Sequence, residues 1–340
     1  MKISVIGAGS WGIAATKMLS ENGHDVTLWS FSEKEVDILQ QQRENPALLP
    51  GVKLPERVRI TGEISCAQGA DIVVVAVPSF AVFETAQKLR PFVNKHQVMV
   101  LLSKGFDKNS GYSLLSDLLQ RVFLGEVPIV ALTGPSHAEE VGRGVPTAVV
   151  AASMNKQAAE LVQEAFMNHV FRVYTTPDIV GAELGGAMKN IMALAVGISD
   201  GAGYGDNTKA MLMTRGITEM ARFGVAMGGQ NETFAGLSGI GDLIVTCISE
   251  HSRNRRAGLL IGGGASPEEA IKQVGAVVEG YFAAQAVFEL SKNMDIELPI
   301  CRAVYDLLYQ GVSLEDTVDA LMNRGKKHEI EESWMKHINW

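Results

Sequence analysis

Residues 2–29 read KISVIGAGSWGIAATKMLSENGHDVTLW, and this stretch decides the fold. The short apolar run from Lys2 to Ile6 ends at glycine, the signature of a buried parallel strand. Small residues and a helical stretch follow to about Glu21. Asn22-Gly23 stops the helix, and Val26 to Trp29 form a second strand. Gly7, Gly9 and Gly12 spell G-x-G-x-x-G at the junction of strand and helix. Alone that pattern is weak; inside a strand–helix–strand unit it marks a dinucleotide-binding turn. Gly7 permits the tight turn, Gly9 lets the backbone approach a pyrophosphate, and Gly12 allows close helix–strand packing. The helix N-terminus offers free N–H groups and a positive dipole end to phosphates.

Outward from this unit, strand-length apolar runs recur at 70–77, 97–103, 128–132, 147–153 and 171–176. Helix-length segments, such as 80–90 and 110–122, separate most of them. Strands alternating with helices imply a mostly parallel, doubly wound α/β sheet of Rossmann type. After Pro177 no strand pattern appears, and residues 216–228 have helical spacing. Ser266, Pro267 and Glu269 predict a capping box, and Ser313 with Asp316 repeats the logic. The expected organisation is a Rossmann-like dinucleotide-binding domain over 1–180 and an all-α substrate and catalytic domain over 181–340.

At 340 residues the chain is long enough for two domains and a large core. Its formal net charge of −8 argues against a general nucleic-acid binder but leaves room for a local basic pocket. Cys66, Cys247 and Cys301 lack C-x-x-C spacing, so neither a disulfide framework nor a metal site is expected. The opening MKISVIGAGS is broken by glycine too early for a signal peptide, and no apolar run reads as a membrane span. A cytoplasmic protein is expected.

Polar groups stand out against this background. Between Glu183 and Asp200 the one formally charged side chain is Lys189, with Asn190 beside it. An ammonium group among small apolar residues needs a partner, a task or a route to water. Lys104 lies just past a strand end, where open parallel sheets bind ligands. Gly134, Ser136 and Ala138 occupy another strand-to-helix turn. His137 in that turn is a candidate acid–base group, with a surface or capping role the simpler reading. Asp242 and Thr246, four apart, share one face if helical. Ser252, Arg253 and Asn254 form a compact patch suited to a small phosphorylated ligand, whereas Arg255 and Arg256 read as solvated charges.

The combination of GAGSWG (7–12), SKG (103–105), TGPSHAEEV (133–141), GGAMKNIMALAVGISDG (185–201), GIGDLIVTC (239–247), SRNRRAG (252–258) and VVEG (277–280) carries a resemblance. Over essentially its full length the sequence resembles the NAD(P)-dependent glycerol-3-phosphate dehydrogenases, particularly the bacterial type. The resemblance implies reversible reduction of dihydroxyacetone phosphate to sn-glycerol 3-phosphate, a precursor of glycerophospholipids. It implies that Lys189 donates and accepts the proton, with Lys104, Asp242 and Thr246 at the reacting end. Arg253 and Asn254 would hold the substrate phosphate beside Ser252, with Gly134, Ser136 and Asn190 as further substrate contacts. Gly7, Gly9, Ser10, Trp11, Gly12, Phe31, Lys104, Ala138, Arg253, Val277 and Glu279 would border NAD or NADP.

Cofactor preference stays open. Ser30, Phe31 and Ser32 stand where an NAD-selective acid is expected, and Lys34 is placed to meet a 2′-phosphate. Phe31 also occupies the neighbourhood where relatives commonly carry a basic residue. Two other readings remain. One is a two-domain reductase of unphosphorylated hydroxy acids, against which the Arg253–Asn254 patch argues. The other is a dinucleotide-binding redox sensor, which has no use for a lysine–aspartate–arginine set. A homodimer is the expected assembly.

Overall fold

The computed structural model describes residues 1–326, 328 and 329, so the end of the expected helical domain lies partly outside the described residues. The first half runs β1 (Lys2–Ile6), α1 (Ser10–Glu21), β2 (Asp25–Trp29), α2 (Glu33–Gln42), β3 (Arg59–Thr61) and β4 (Ile72–Val75). It continues with α3 (Val82–Leu89), β5 (Val98–Leu101), a hairpin of β6 (Phe106–Asp107) and β7 (Ser113–Leu114), and α4 (Leu115–Val122). Then come β8 (Ile129–Thr133), α5 (Ala138–Gly142), β9 (Thr147–Ala152), α6 (Lys156–Phe166) and β10 (Phe171–Thr176).

Eight strands form one sheet in the order β10-β9-β8-β5-β4-β1-β2-β3. All neighbours are parallel except β8 and β9, which run antiparallel. Side chains alternate between two cores. Ile3, Val5, Ile72, Val74, Val98 and Val100 face α1, α2 and α6. Ile6, Val73, Val75, Met99 and Leu101 face α3 and α4. Both faces are covered, which is why these strands read as continuous apolar runs. The strand order reverses between β1 and β4, which opens a crevice at their carboxyl ends.

Two expectations change in detail. The runs at 70–77 and 97–103 shorten because their last residues turn over the sheet edge, where Ser103 Oγ donates to the Val77 carbonyl at 2.5 Å. The helix expected over 110–122 begins at Leu115, because the preceding residues close the β6–β7 hairpin.

The second half is helical: α7 (Ile179–Gly201), α8 (Asp206–Ala226), α9 (Asn231–Phe234), a π-helical turn (Leu237–Gly241), α10 (Asp242–Ile248) and α11 (Arg253–Gly262). It ends with α12 (Pro267–Val274), α13 (Glu279–Ser291), α14 (Pro299–Tyr309) and α15 (Leu314–Met322). Asp178 caps α7, accepting from the Gly181 N–H at 2.9 Å. The Ser266–Glu269 capping box forms, and Ser313 accepts from the Asp316 N–H. By length and composition α7 is apolar enough to cross a membrane, yet every residue from Gly181 to Ser199 is buried inside the protein.

Small residues set how α7 packs. Gly197 and Gly201 on α7 face Gly258 and Gly262 on α11, each pair four residues apart and so on one helix face. A Cβ at Gly258 would fall 2.4 Å from the Leu194 carbonyl oxygen, and one at Gly197 would fall 2.2 Å from that of Arg255. The two backbones touch, with no room for a methyl group.

Gly258→Ala therefore loses stability even though alanine favours helix by about 1 kcal/mol. Overpacking of this kind costs about 1–3 kcal/mol, read as a lower thermal midpoint. A midpoint equal to or above that of the parent would refute the close-contact account.

Candidate active site

The crevice begins at the glycine turn. Gly7 has φ +120°, and a Cβ there would fall 2.7 Å from the Ala76 carbonyl oxygen beyond β4. A Cβ at Gly12 would fall 1.8 Å from the Gly7 oxygen. Gly9 differs, because a Cβ there would meet nothing within 4 Å. Gly9 is also the α1 N-cap and brings no side chain to the first N–H groups. This exposed, uncapped N-terminus fits a dinucleotide pyrophosphate. The Ser10 hydroxyl is turned aside and donates to the Leu48 carbonyl at 2.7 Å. Trp11 packs half-buried on the first core, while Phe31 beyond β2 is 81% exposed.

Opposite this turn, both halves of the chain converge on one carboxylate. Asp242, the first residue of α10, is 1% exposed. Lys189 Nζ, from the middle of α7, donates to Asp242 Oδ1 at 2.6 Å and to Thr246 Oγ1 at 2.7 Å. Lys104 Nζ, arriving from beyond β5, donates to Asp242 Oδ2 at 2.6 Å and to the Gly134 carbonyl at 3.0 Å. Thr246 Oγ1 donates in turn to the Asp242 carbonyl at 2.6 Å, the i→i+4 relation expected of α10. An ammonium group has three N–H donors, and the protein engages two on each lysine. Among the described residues, one donor per lysine remains for a ligand.

The charges act on one another. Burial pushes the Lys189 ammonium down, Asp242 pushes it up and Lys104 pushes it down, leaving it at about 8. Burial alone would raise the Asp242 carboxyl, but the two paired ammonium groups hold it below the usual carboxylate range. Lys104 crosses α7 at Gly186, where a Cβ would lie 3.4 Å from the lysine stem.

A second cluster is built on Asn190, the residue next to Lys189. The Gly280 N–H donates to Asn254 Oδ1 at 2.9 Å, which fixes that amide's orientation. Asn254 Nδ2 then donates to Asn190 Oδ1 at 2.9 Å. Both amides keep an N–H for a ligand, since Asn190 Nδ2 makes only a 3.4 Å contact to the Gly186 carbonyl. Ser252 is the α11 N-cap, accepting from the Arg255 N–H, so its own O–H stays free to donate. Arg253 is exposed beside it. The reading of Arg255 as a solvated charge is corrected: its guanidinium holds Asp200 on α7 through two bonds, at 2.8 and 3.2 Å.

The remaining expected residues line the junction of the halves. The Ser136 hydroxyl donates to the Gly134 carbonyl at 2.9 Å, and Ala138 is buried at the start of α5. Val277 is half-buried just before Glu279. Glu279, first in α13, reaches back to Ser79, accepting from its hydroxyl at 2.7 Å and its N–H at 3.3 Å. Burial raises the Glu279 carboxyl, opposed by the Ser79 bonds and the Arg253 charge. Sequence reasoning missed Ser79, although its place just past β4 at the strand reversal was a usable signal. It also missed Glu35, which folds back from α2 to accept from Ser30 Oγ at 2.5 Å. That carboxylate stands at the end of β2, where an acid was sought by chain position alone.

Comparison with known proteins agrees with this architecture. The family model described as NAD-dependent glycerol-3-phosphate dehydrogenase N-terminus matches residues 2–159, and that described as its C-terminus matches 178–319. The chain is 52% identical over 331 residues to glycerol-3-phosphate dehydrogenase (NAD(P)+) of Desulfitobacterium hafniense strain Y51, covering 97% of this chain and 94% of that one. It is 47% identical to the protein of the same name from Bacillus subtilis strain 168, covering 97% and 96%. The crystal structure of glycerol-3-phosphate dehydrogenase from Coxiella burnetii superposes with a TM-score of 0.90 at 37% identity, covering 95% and 99%. A glycine turn built for a dinucleotide, a buried lysine–aspartate–lysine set and full-length similarity therefore place this chain in the NAD-dependent glycerol-3-phosphate dehydrogenase family of oxidoreductases.

Proposed function

We propose that the protein interconverts dihydroxyacetone phosphate and sn-glycerol 3-phosphate with NAD or NADP, reduction supplying glycerophospholipid synthesis. Residues 1–180 bind the dinucleotide, and 181–340 carry the substrate end. The observation that supports this most is the meeting of Lys104 and Lys189 on Asp242, each with one donor to spare. Two such donors, held in a buried site, suit an oxygen on which negative charge develops.

The nicotinamide, when bound, gives or takes the hydride at the substrate's C2. Lys189 Nζ supplies the proton to the C2 oxygen as the ketone becomes an alcohol, and takes it back in oxidation. Asp242 keeps Lys189 charged and aimed, while Thr246 fixes its rotamer. Lys104 adds positive charge at the same oxygen. Arg253, Asn254 and Ser252 hold the phosphate, so binding energy there aligns the ketone. Gly134, Ser136 and Asn190 border the substrate. The glycine turn, Ser10, Trp11, Phe31, Ala138, Val277 and Glu279 border the dinucleotide, with Lys104 and Arg253 touching both ligands.

The deciding assay is spectrophotometric reduction of dihydroxyacetone phosphate, run with NADH and NADPH and with simple keto acids as controls. Keto-acid turnover without phosphate-ester turnover would overturn the assignment. The proton role sets the sign of the pH profile. Reduction needs the ammonium form of Lys189, so its rate falls as pH rises through about 8. Oxidation needs the free amine, so its rate climbs over the same range. Two parallel profiles would exclude Lys189 as the proton carrier.

Lys189→Ala lowers turnover by roughly 10²–10⁴ while cofactor still binds, as loss of a general acid does. Arg253→Ala acts mainly on the substrate KM, and an unchanged KM would move the phosphate grip elsewhere. We further propose a cytoplasmic homodimer. Its support is an apolar groove lined by Tyr204, Met211, Leu307, Val318 and Leu321, open among the described residues. Sedimentation at the 36.5 kDa of one chain would exclude the dimer.

A further inference from the structure

Four buried side-chain polar atoms among the described residues lack any hydrogen-bond partner: Thr16 Oγ1, Arg43 Nε, Ser199 Oγ and His137 Nε2. The first three lie away from the lysine–aspartate set. Thr16 and Ser199 are helix hydroxyls, and Arg43 already spends its Nη2 on the Val58 carbonyl. His137 is different. It occupies the N-cap position of α5 but makes no capping bond with its side chain, so helix capping does not account for it.

Its surroundings tie it to the site. Gly134, three residues earlier, gives its carbonyl to Lys104. Pro135 packs where a Cβ on Gly241 would lie 3.6 Å from the proline ring, and Gly241 immediately precedes Asp242. The imidazole also meets the His251 ring edge-on, with centroids 6.1 Å apart. His251 directly precedes Ser252, Arg253 and Asn254. The ring therefore feels the charges of Lys189, Asp242 and Lys104 and touches the residue that precedes Ser252, Arg253 and Asn254. Burial, followed by the Lys189 charge, moves it below the ordinary histidine range, with Lys104 adding to the effect and Glu139 and Asp242 opposing it. Near neutral pH the ring is uncharged, and proton transfer belongs to Lys189.

We propose that His137 is a substrate-contacting residue whose Nε2 completes its hydrogen bonding on an oxygen of the bound phosphorylated substrate. The proposal rests on the function argued above and adds an uncharged contact between the reacting carbon and the phosphate. A buried ring nitrogen that gains a bond only with substrate favours ligands carrying an oxygen at that point, because any other ligand leaves it unpaired. Neutral hydrogen bonds contribute to affinity rather than to the chemical step, so the effect falls on KM.

The experiment compares the wild type with His137→Phe, His137→Ala and His137→Gln. Substrate KM, kcat, NADH dissociation constant and thermal midpoint are measured for each. Phenylalanine keeps a ring against His251 without the nitrogen, while glutamine returns an amide near the Nε2 position. The expected result is a KM for dihydroxyacetone phosphate raised roughly three- to tenfold in the Phe and Ala variants, the range of one neutral hydrogen bond. NADH affinity and midpoint stay near wild type, and glutamine recovers most of the loss. A wild-type KM in His137→Phe overturns the proposal. So does equal impairment of the Phe and Gln variants, which would assign the effect to ring shape, or a joint fall in NADH affinity and midpoint across all three. A wild type inert on dihydroxyacetone phosphate overturns the parent function and this contact with it, whereas an active wild type with an indifferent His137→Phe overturns this contact alone.

Discussion

The molecule is organised around a carboxylate it can scarcely expose. Asp242 is paired at 2.6 Å with two ammonium groups that reach it from opposite halves of the chain. Removing three charged groups from water is costly unless they satisfy one another, and removing one partner from such a set leaves a buried charge uncompensated. The geometry of β5, α7 and α10 must therefore agree closely. The set as a whole carries one net positive charge, which suits an anionic ligand and a reacting oxygen. It also keeps Lys189 at about 8, far enough down to give up a proton and far enough up to hold one.

Holding that agreement requires backbones unusually close together, and glycine supplies the room. Gly186 lets the Lys104 stem lie across α7, and Gly185 admits the Ser238 carbonyl of the π-helical turn, 2.3 Å from where a Cβ would stand. Gly280 does the same against the Asn190 carbonyl, at 2.4 Å, and its N–H fixes Asn254. One small residue thus sets both a helix contact and the orientation of the Asn254 amide. The Asp200–Arg255 pair extends this arrangement by tying the start of α11 to the end of α7.

What could be read from the sequence followed the range of the interactions. The glycine turn, the capping box at Ser266 and the Asp242–Thr246 spacing are local, so each was legible from a few residues. The isolation of Lys189 among apolar residues was legible too, because burial of a charge is visible in its neighbours. Hidden were features made by chain reversal or by distant partners. The three-residue strand β3 lacks an apolar run of its own and forms by pairing with β2. The antiparallel sense of β9 is a property of topology, since its residues suit either direction. Arg255 looked like its exposed neighbour Arg256, and only the fold brings Asp200 to it from 55 residues away. Glu35 was hidden because a helix turn, and not the strand, returns it to Ser30.

The contacts that form the site are also contacts that hold the halves together. Lys104–Asp242, Ser79–Glu279, Thr133–Ser238 and Ser116–Glu183 all cross the junction, and all are polar. In the last pair Glu183 accepts from both the Ser116 N–H and its hydroxyl, yet burial still raises its carboxyl to about 7. Apolar surfaces tolerate small slips because attraction there varies slowly with position, whereas buried hydrogen bonds fail over fractions of an ångström. A displacement of the halves by the length of one such bond would unpair Asp242 from Lys104. If Lys189 also lost the carboxylate, burial would drive its ammonium further down, leaving a neutral amine where the proposed reduction needs a proton. Domain arrangement and protonation state are therefore governed by the same few atoms.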